Sequence, residues 1–454
     1  MGHVNPLLRS RSTRNVLLPS FILRVLAVGQ VSAWAFVFKT AVLDVVRAQR
    51  RPAVWGTGLQ GCGLRPLHVH ILPISTTAGS CNGFEAGERR WGNRRLSPLS
   101  MAKAAKDPDV VLKSVKVGPL KQENINLPSG VSMQAVCQKP STGSPKRSKH
   151  LPPLVFIHGS YHAAWCWAEH WMAFLASKGY ETFSISLRGT SGTPIPAVEG
   201  DAVGIKVKIA DHVADVRSFA ETVLPGRRPV FVSHSFGGLV LLKLMEELAK
   251  ESEAVDGGGD GQGSGSAEAI RVAMAGAAFL CSVPPSGNGP MTKRFIKERP
   301  VMAVKIVIGF VLKMAVFWPW LARDLFFCQS LEQSALKRRT AISRSNRYMA
   351  NFRADSKNGL DLGDLRPQVP MKKADAEGRA TWLQAAPPRL VMGAERDRIV
   401  DEAGVKEMAT FLDTEHIMLP TVPHEVMLGP DWPLGVTRLL QWLETTDFAM
   451  PSTP

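Results

Sequence analysis

From about Val110 onward, short apolar runs alternate with stretches whose apolar residues recur every three or four positions. That alternation predicts strands joined by helices around a mostly parallel sheet. Pro153–His158 (PLVFIH) reads as a buried strand, and Ala163–Lys178 as a helix stopped by Gly179. Glu181–Leu187 (ETFSISL) alternates as a strand. Ile209–Leu224 places Ile209, Val213, Val216, Phe219 and Val223 on one helical face. Val230–Val232 sits in another buried strand and Gly237–Glu253 forms an apolar-rich helix. Ala275–Val283, Arg389–Met392 and His416–Leu419 supply three more strands.

The pattern fails in two places. Val255–Ser266 (VDGGGDGQGSGS) has almost nothing to bury and reads as a flexible surface insertion. Between Pro284 and about Pro388 a basic, strongly apolar stretch (Met291–Phe327) is followed by a polar, Arg-rich one (Leu331–Lys373). A hundred residues between two sheet strands predict a helical lid. Within it Val301–Trp320 carries Lys305 and Lys313 on one side, which favours a soluble or interfacial amphipathic helix over a membrane span. The organisation expected is a leader at 1–105, a core in two parts at 106–287 and 386–448, and the lid at 288–385.

Charge changes the picture only at the start of the chain. The net charge of +16 suggests a nucleic-acid partner at first. Residues 1–100, however, hold thirteen Arg and Lys against three acids, Asp44, Glu85 and Glu88. Most of the excess therefore belongs to the leader, and no nucleic-acid partner is expected. An Arg-rich, acid-poor start fits an organelle transit peptide, with the chloroplast expected ahead of the mitochondrion. The rival is a membrane anchor over the apolar run Val16–Phe38, against which Arg24 weighs roughly 2.5–3.5 kcal/mol at a span centre. The six cysteines are scattered, which predicts free thiols. His68 and His70 lack further ligands nearby, and no phosphate-binding loop appears, so no cofactor or metal is expected.

The candidate chemistry lies at strand ends. Val232-Ser233-His234-Ser235-Phe236-Gly237-Gly238 follows a strand and opens a helix, the context of a nucleophile elbow. The usual pattern is G-x-S-x-G, and Ser233 replaces its first glycine. The amide of Phe236, at a helix start, is one candidate oxyanion donor. Phe156-Ile157-His158-Gly159-Ser160 ends an upstream strand, and the Ser160 amide is the second. Downstream, Asp397 leaves a strand end after Gly393-Ala394-Glu395-Arg396, with Glu395 its nearest rival and Asp401 a weaker one. His424 follows the next strand, in Leu419-Pro420-Thr421-Val422-Pro423-His424. A serine hydroxyl needs a base, and the base needs an acid to fix its tautomer, so Ser235, His424 and Asp397 form a candidate triad. His416 reads as structural and His234 as packing.

With these residues in place, 110–445 resembles the α/β-hydrolase superfamily, nearest to plant and algal members. His158-Gly159, Trp165, Trp167, Arg188-Gly189, Ser235, Asp397 and His424 carry the likeness. The chain departs from it at Ser233, at Ser186, where many members have Asp, and in the glycine-rich insertion. The resemblance implies the α/β-hydrolase fold and acyl transfer through a covalent intermediate, and it leaves the substrate open. The apolar lid suggests a lipophilic ester or acylglycerol as substrate, and peripheral membrane contact through the lid. An acyltransferase on the same triad, or a ligand-binding protein with little turnover, is the alternative.

Overall fold

Two edge strands, β1 (Lys121–Asn126) and β2 (Ser132–Gln138), lead into the first central strand, β3 (Leu154–Ile157). The computed structural model describes residues 117–140, 151–196, 204–255, 273–331, 348–383 and 386–448. The leader, His68, His70, Cys62, Cys81 and nearly all of the glycine-rich stretch lie outside them. Two short helices, α1 (Trp165–Ala168) and α2 (Trp171–Ser177), then deliver β4 (Thr182–Ile185). A two-residue strand, β5 (Lys206–Val207), precedes α3 (Ile209–Val223), β6 (Val230–His234), α4 (Gly237–Val255) and β7 (Gly276–Leu280).

After β7 the chain leaves the sheet. It forms α5 (Asn288–Glu298), α6 (Pro300–Ile306), α7 (Pro319–Phe327) and α8 (Tyr348–Asp355). The short strand β8 (Gly359–Leu360) pairs with β5, and α9 (Leu362–Leu365) follows. The chain then returns through β9 (Arg389–Ala394), α10 (Glu402–Phe411), β10 (His416–Leu419) and α11 (Trp432–Thr445).

Eight of these strands form one sheet in the order β1-β2-β4-β3-β6-β7-β9-β10. β2 pairs antiparallel with both β1 and β4, and every pairing from β4 to β10 is parallel. Residues of β3, β4, β6 and β7 are all buried, as expected of strands covered by helices on both faces, and their sequences are correspondingly continuous in apolar or small residues. Edge strand β1 is the opposite. Its sequence, KQENIN, is almost wholly exposed, and its charges suit an edge that must not recruit further strands.

Two helices expected from the pattern are broken. Ala163–Lys178 divides into α1 and α2 at His170, which leaves the helical region (φ −140°, ψ −52°). The His170 ring stacks on Trp432 at 5.0 Å, so a tertiary aromatic contact overrides the local period. Val301–Trp320 is not one amphipathic helix either. α6 ends at Ile306, a π turn spans Val307–Val311, and Lys313 is left-handed (φ 55°). The Lys305 ammonium lies 2.9 Å from the Asp324 carboxylate on α7. In a continuous helix those residues would stand roughly 28 Å apart, so the ion pair requires the segment to fold back. Among the described residues no helix is long and apolar enough to cross a membrane.

Candidate active site

Strand β6 gives way to α4 within two residues, and Ser235 stands at the corner with φ 52°. This left-handed backbone is unfavourable for serine and persists only where its surroundings fix it. Here the Ser235 N–H donates to Leu280 O (3.1 Å), and its carbonyl accepts from Val283 N–H (3.0 Å). A methyl at Gly237 would lie 2.6 Å from His158 O, which explains the glycine two places after the serine. Ser233 fits two places before it: its side chain is buried, and its hydroxyl donates to Ala278 O on β7 (3.0 Å).

The other two members arrive from the neighbouring strand ends. Asp397 follows β9 in a tight turn, where Oδ1 accepts the N–H groups of Ile399 (2.7 Å) and Val400 (2.9 Å). Its Oδ2 accepts Nδ1–H of His424 at 2.7 Å. Nε2 of His424 then lies 3.2 Å from Ser235 Oγ. All three side chains are buried. Burial lowers the His424 pKa, but the charge of Asp397, its hydrogen bond and the charge of Glu425 outweigh burial, so the net direction is up. The rivals are placed elsewhere. Glu395 is exposed, and Asp401 caps α10 through Gly404 N–H and pairs with Arg294 at 2.7 Å. His416 sits half-buried on β10.

The turn after β3 closes over the serine. A methyl at Gly159 would stand only 2.7 Å from Ser235 Cβ. His158 braces this turn: Nδ1–H donates to Gly159 O (2.8 Å), and Nε2 accepts Leu187 N–H (2.9 Å). Burial lowers its pKa to about 3, so the ring is a neutral strut. Among the described residues, the amide N–H groups of Ser160 and Phe236 donate to no protein acceptor. Such amides are available to an incoming oxygen.

Four neighbours were not singled out from sequence as parts of the site. His234, expected to pack, also donates from Nε2 to the backbone carbonyl of His424 (2.9 Å); burial, then the nearby His424, hold its pKa down at about 3. A packing role gave no sign of what this ring would meet. Glu425 and His162 face each other in the interior, 3.1 Å apart. Nothing in their local sequence marks them, since they lie on loops 263 positions apart in number. Cys281 is buried beside Asp397, and burial and that negative charge push its thiol well above the ordinary value. Cys281, Asp397 and His424 bring their ligand-type atoms within 4.8 Å of one another. The carboxylate and the ring are already bonded to each other, so the set is an interacting relay and not an open ligand set.

The inserted helices reach this site directly. Tyr161 stacks on Phe310 (5.0 Å between ring centroids), Phe310 meets Phe326 edge-on (5.4 Å), and Phe326 meets Phe352 (5.5 Å). Arg398, next to Asp397, binds the Asp324 carboxylate of α7, and Glu425 N–H donates to Phe326 O (3.1 Å). Within the basic stretch Met291–Phe327, Arg294, Lys305 and Lys313 bind Asp401, Asp324 and the Ser356 carbonyl.

Residues 154–432 match the model of the Alpha/beta hydrolase family. Methyl jasmonate esterase 1 of Vitis vinifera is 27% identical over 108 residues, covering 23% of this chain and 37% of that protein. Probable esterase PIR7A of Oryza sativa subsp. indica is 35% identical over 93 residues, covering 20% and 33%. The chain thus spans about a third of the length of the curated relatives it matches. Among solved structures, a laboratory-evolved variant of a potato epoxide hydrolase aligns with TM-score 0.47 and 14% identity, over 72% of this chain and 100% of that one.

Proposed function

The chain belongs to the α/β-hydrolase family and has esterase relatives, and from that premise we propose that it cleaves a carboxylic ester with Ser235 as nucleophile. The observation that carries the reading is the relay from Ser235 Oγ through His424 to Asp397, with links of 3.2 and 2.7 Å. In the forward step His424 Nε2 takes the hydroxyl proton as Oγ bonds to the ester carbonyl carbon. The carbonyl oxygen becomes an oxyanion facing the Ser160 and Phe236 amides. Collapse expels the alcohol, which receives the proton from His424. Water, activated by the same ring, then releases the acid from Ser235. Asp397 holds the Nδ1–H tautomer throughout and stabilises the ring while it is charged.

An aspartate-nucleophile route, as in epoxide hydrolases of this fold, is disfavoured because serine occupies the elbow. A lipophilic substrate is supported by the aromatic series Tyr161, Phe310, Phe326 and Phe352, which runs from the turn after β3 into the inserted helices. In this reading those helices act as a lid. The test is labelling with a fluorophosphonate probe together with hydrolysis of p-nitrophenyl acetate, butyrate and longer esters. Wild type is expected to label and turn over. Ser235→Ala is expected to lose both, by a factor on the order of 10⁶ in kcat. Labelling or turnover that survives in Ser235→Ala overturns the assignment.

A further inference from the structure

We infer that His162 and Glu425 form a buried charged strut that holds the turn carrying the Ser160 amide against the loop carrying His424, making both of them positioning residues. The pair itself stands on geometry; its catalytic consequence rests on the function proposed above.

The two side chains are 2% and 1% exposed, and Nε2 of His162 lies 3.1 Å from Oε2 of Glu425. The approach is off the hydrogen-bond axis, so charge and not alignment holds them. On its other side His162 donates from Nδ1 to Ser160 O at 2.8 Å. A neutral ring with its proton on Nδ1 would set the Nε2 lone pair 3.1 Å from a carboxylate oxygen. Protonating Nε2 turns that repulsion into attraction, so the geometry requires an imidazolium.

The groups facing His162 agree. Glu425 approaches from the His424 loop, Asp355 from α8, His158 from the turn after β3 and His234 from β6. Both of those histidines are held down near 3 by burial and are neutral. Asp355 already accepts from Trp165 Nε1 and Ser191 N–H. Burial raises the Glu425 pKa, but the positive charge of His162 outweighs it and brings it to about 2, leaving Glu425 the anion that neutralises the ring. Opposing burial, Glu425 raises the His162 pKa.

The strut has something to hold. Tyr161, between the accepting carbonyl and His162, is left-handed with φ 66°, an unfavourable backbone for tyrosine. Releasing His162 would free that turn to relax and carry the Ser160 amide with it.

Two measurements on the full chain decide the matter. With isotope-labelled histidine, NMR should find both His162 ring nitrogens protonated at pH 7 in wild type, and a neutral ring in Glu425→Gln. In p-nitrophenyl butyrate hydrolysis, Glu425→Gln and His162→Gln should each lower kcat about 10- to 100-fold with KM nearly unchanged, less than the 10²–10³ for outright loss of an oxyanion donor. The double variant should be no worse than the poorer single one, and Glu425→Asp should recover part of the loss. A neutral His162 in wild type overturns the strut, as does an unchanged kcat or additive losses in folded variants. If Ser235→Ala retains wild-type turnover in the same assay, the proposed function fails, while the NMR result still decides the pair. Where a glutamine variant does not fold, the wild-type spectrum alone decides.

Discussion

At the strand ends, residue identity is dictated by contact over a few ångströms. Gly237 is where a methyl would strike a backbone carbonyl oxygen at 2.6 Å, and Ser235 occupies a left-handed corner bonded on both sides to the β7 end. The helices inserted between β7 and β9 are ordered differently. Their shape depends on charges that meet across long stretches of chain: Arg294 with Asp401, Lys305 and Arg398 with Asp324, and Lys373 with Glu246. The first kind of constraint leaves a motif in the sequence, because only one or two residue types fit. The second leaves none, because a lysine gives no sign of which acid it will meet.

Breaking the strand-end region should therefore have local and severe effects, and breaking the insertion should have diffuse and milder ones. Beyond loss of Ser235 itself, the largest effect is expected from Asp397→Asn. It should leave the fold intact and lower kcat by a factor on the order of 10⁴, since an amide cannot fix the His424 tautomer. The pH profile sharpens the same test. A base acts when neutral, so wild-type kcat/KM should rise with pH through an inflection above the ordinary histidine value, and Asp397→Asn should move that inflection down. A loss confined to Glu395→Gln would reassign the acid.

Next in size is Gly237→Ala, expected to lower stability by about 3 kcal/mol in denaturant unfolding, because the obstructing atom is backbone and cannot rotate away. Asp324→Asn comes third. It leaves Lys305 and Arg398 without their anion, and should lower stability by about 2 kcal/mol, with only a small change in kcat. If it abolishes turnover instead, the insertion is part of the catalytic framework and the contrast between the regions collapses.

The smallest effect is expected from Phe317→Ala. Phe317 is 52% exposed, with the Arg353 guanidinium over its ring, so its loss should change stability by less than about 0.5 kcal/mol and leave long-chain ester preference intact. Phe310, stacked on Tyr161, is the aromatic whose truncation should lower kcat/KM for long esters more than for acetate. Equal behaviour of the two variants across chain lengths would count against the aromatic series as a substrate surface.

These differences also explain what could be read from the residues beforehand. The strands β3, β4, β6 and β7 were legible because burial on both faces makes their runs apolar or small, β9 and β10 because their runs are still largely apolar, and Ser235, Asp397 and His424 because each comes after such a run. Strand β1 was not, since an exposed edge carries no apolar signal and KQENIN looks like a loop. The break at His170 depends on a ring 262 positions later in the numbering, and the fold-back after Ile306 on Asp324. His162 and Glu425 remained hidden for the same reason. Each is an ordinary polar residue until the sheet order brings their loops together.

The hydrogen bond from Glu425 N–H to Phe326 O has a bearing on how substrate enters. It joins α7 to the residue directly after His424, and the Asp324–Arg398 pair joins the same helix to the residue directly after Asp397. Any swing of α7 wide enough to make a doorway would pull on both loops and disarm the relay while the door stood open. Passage and chemistry would then exclude one another in time, and each turnover would include a resetting step. An opening made by α5 and α6 carries no such penalty, because their clasp, Arg294 on Asp401, grips none of Ser235, His424 and Asp397.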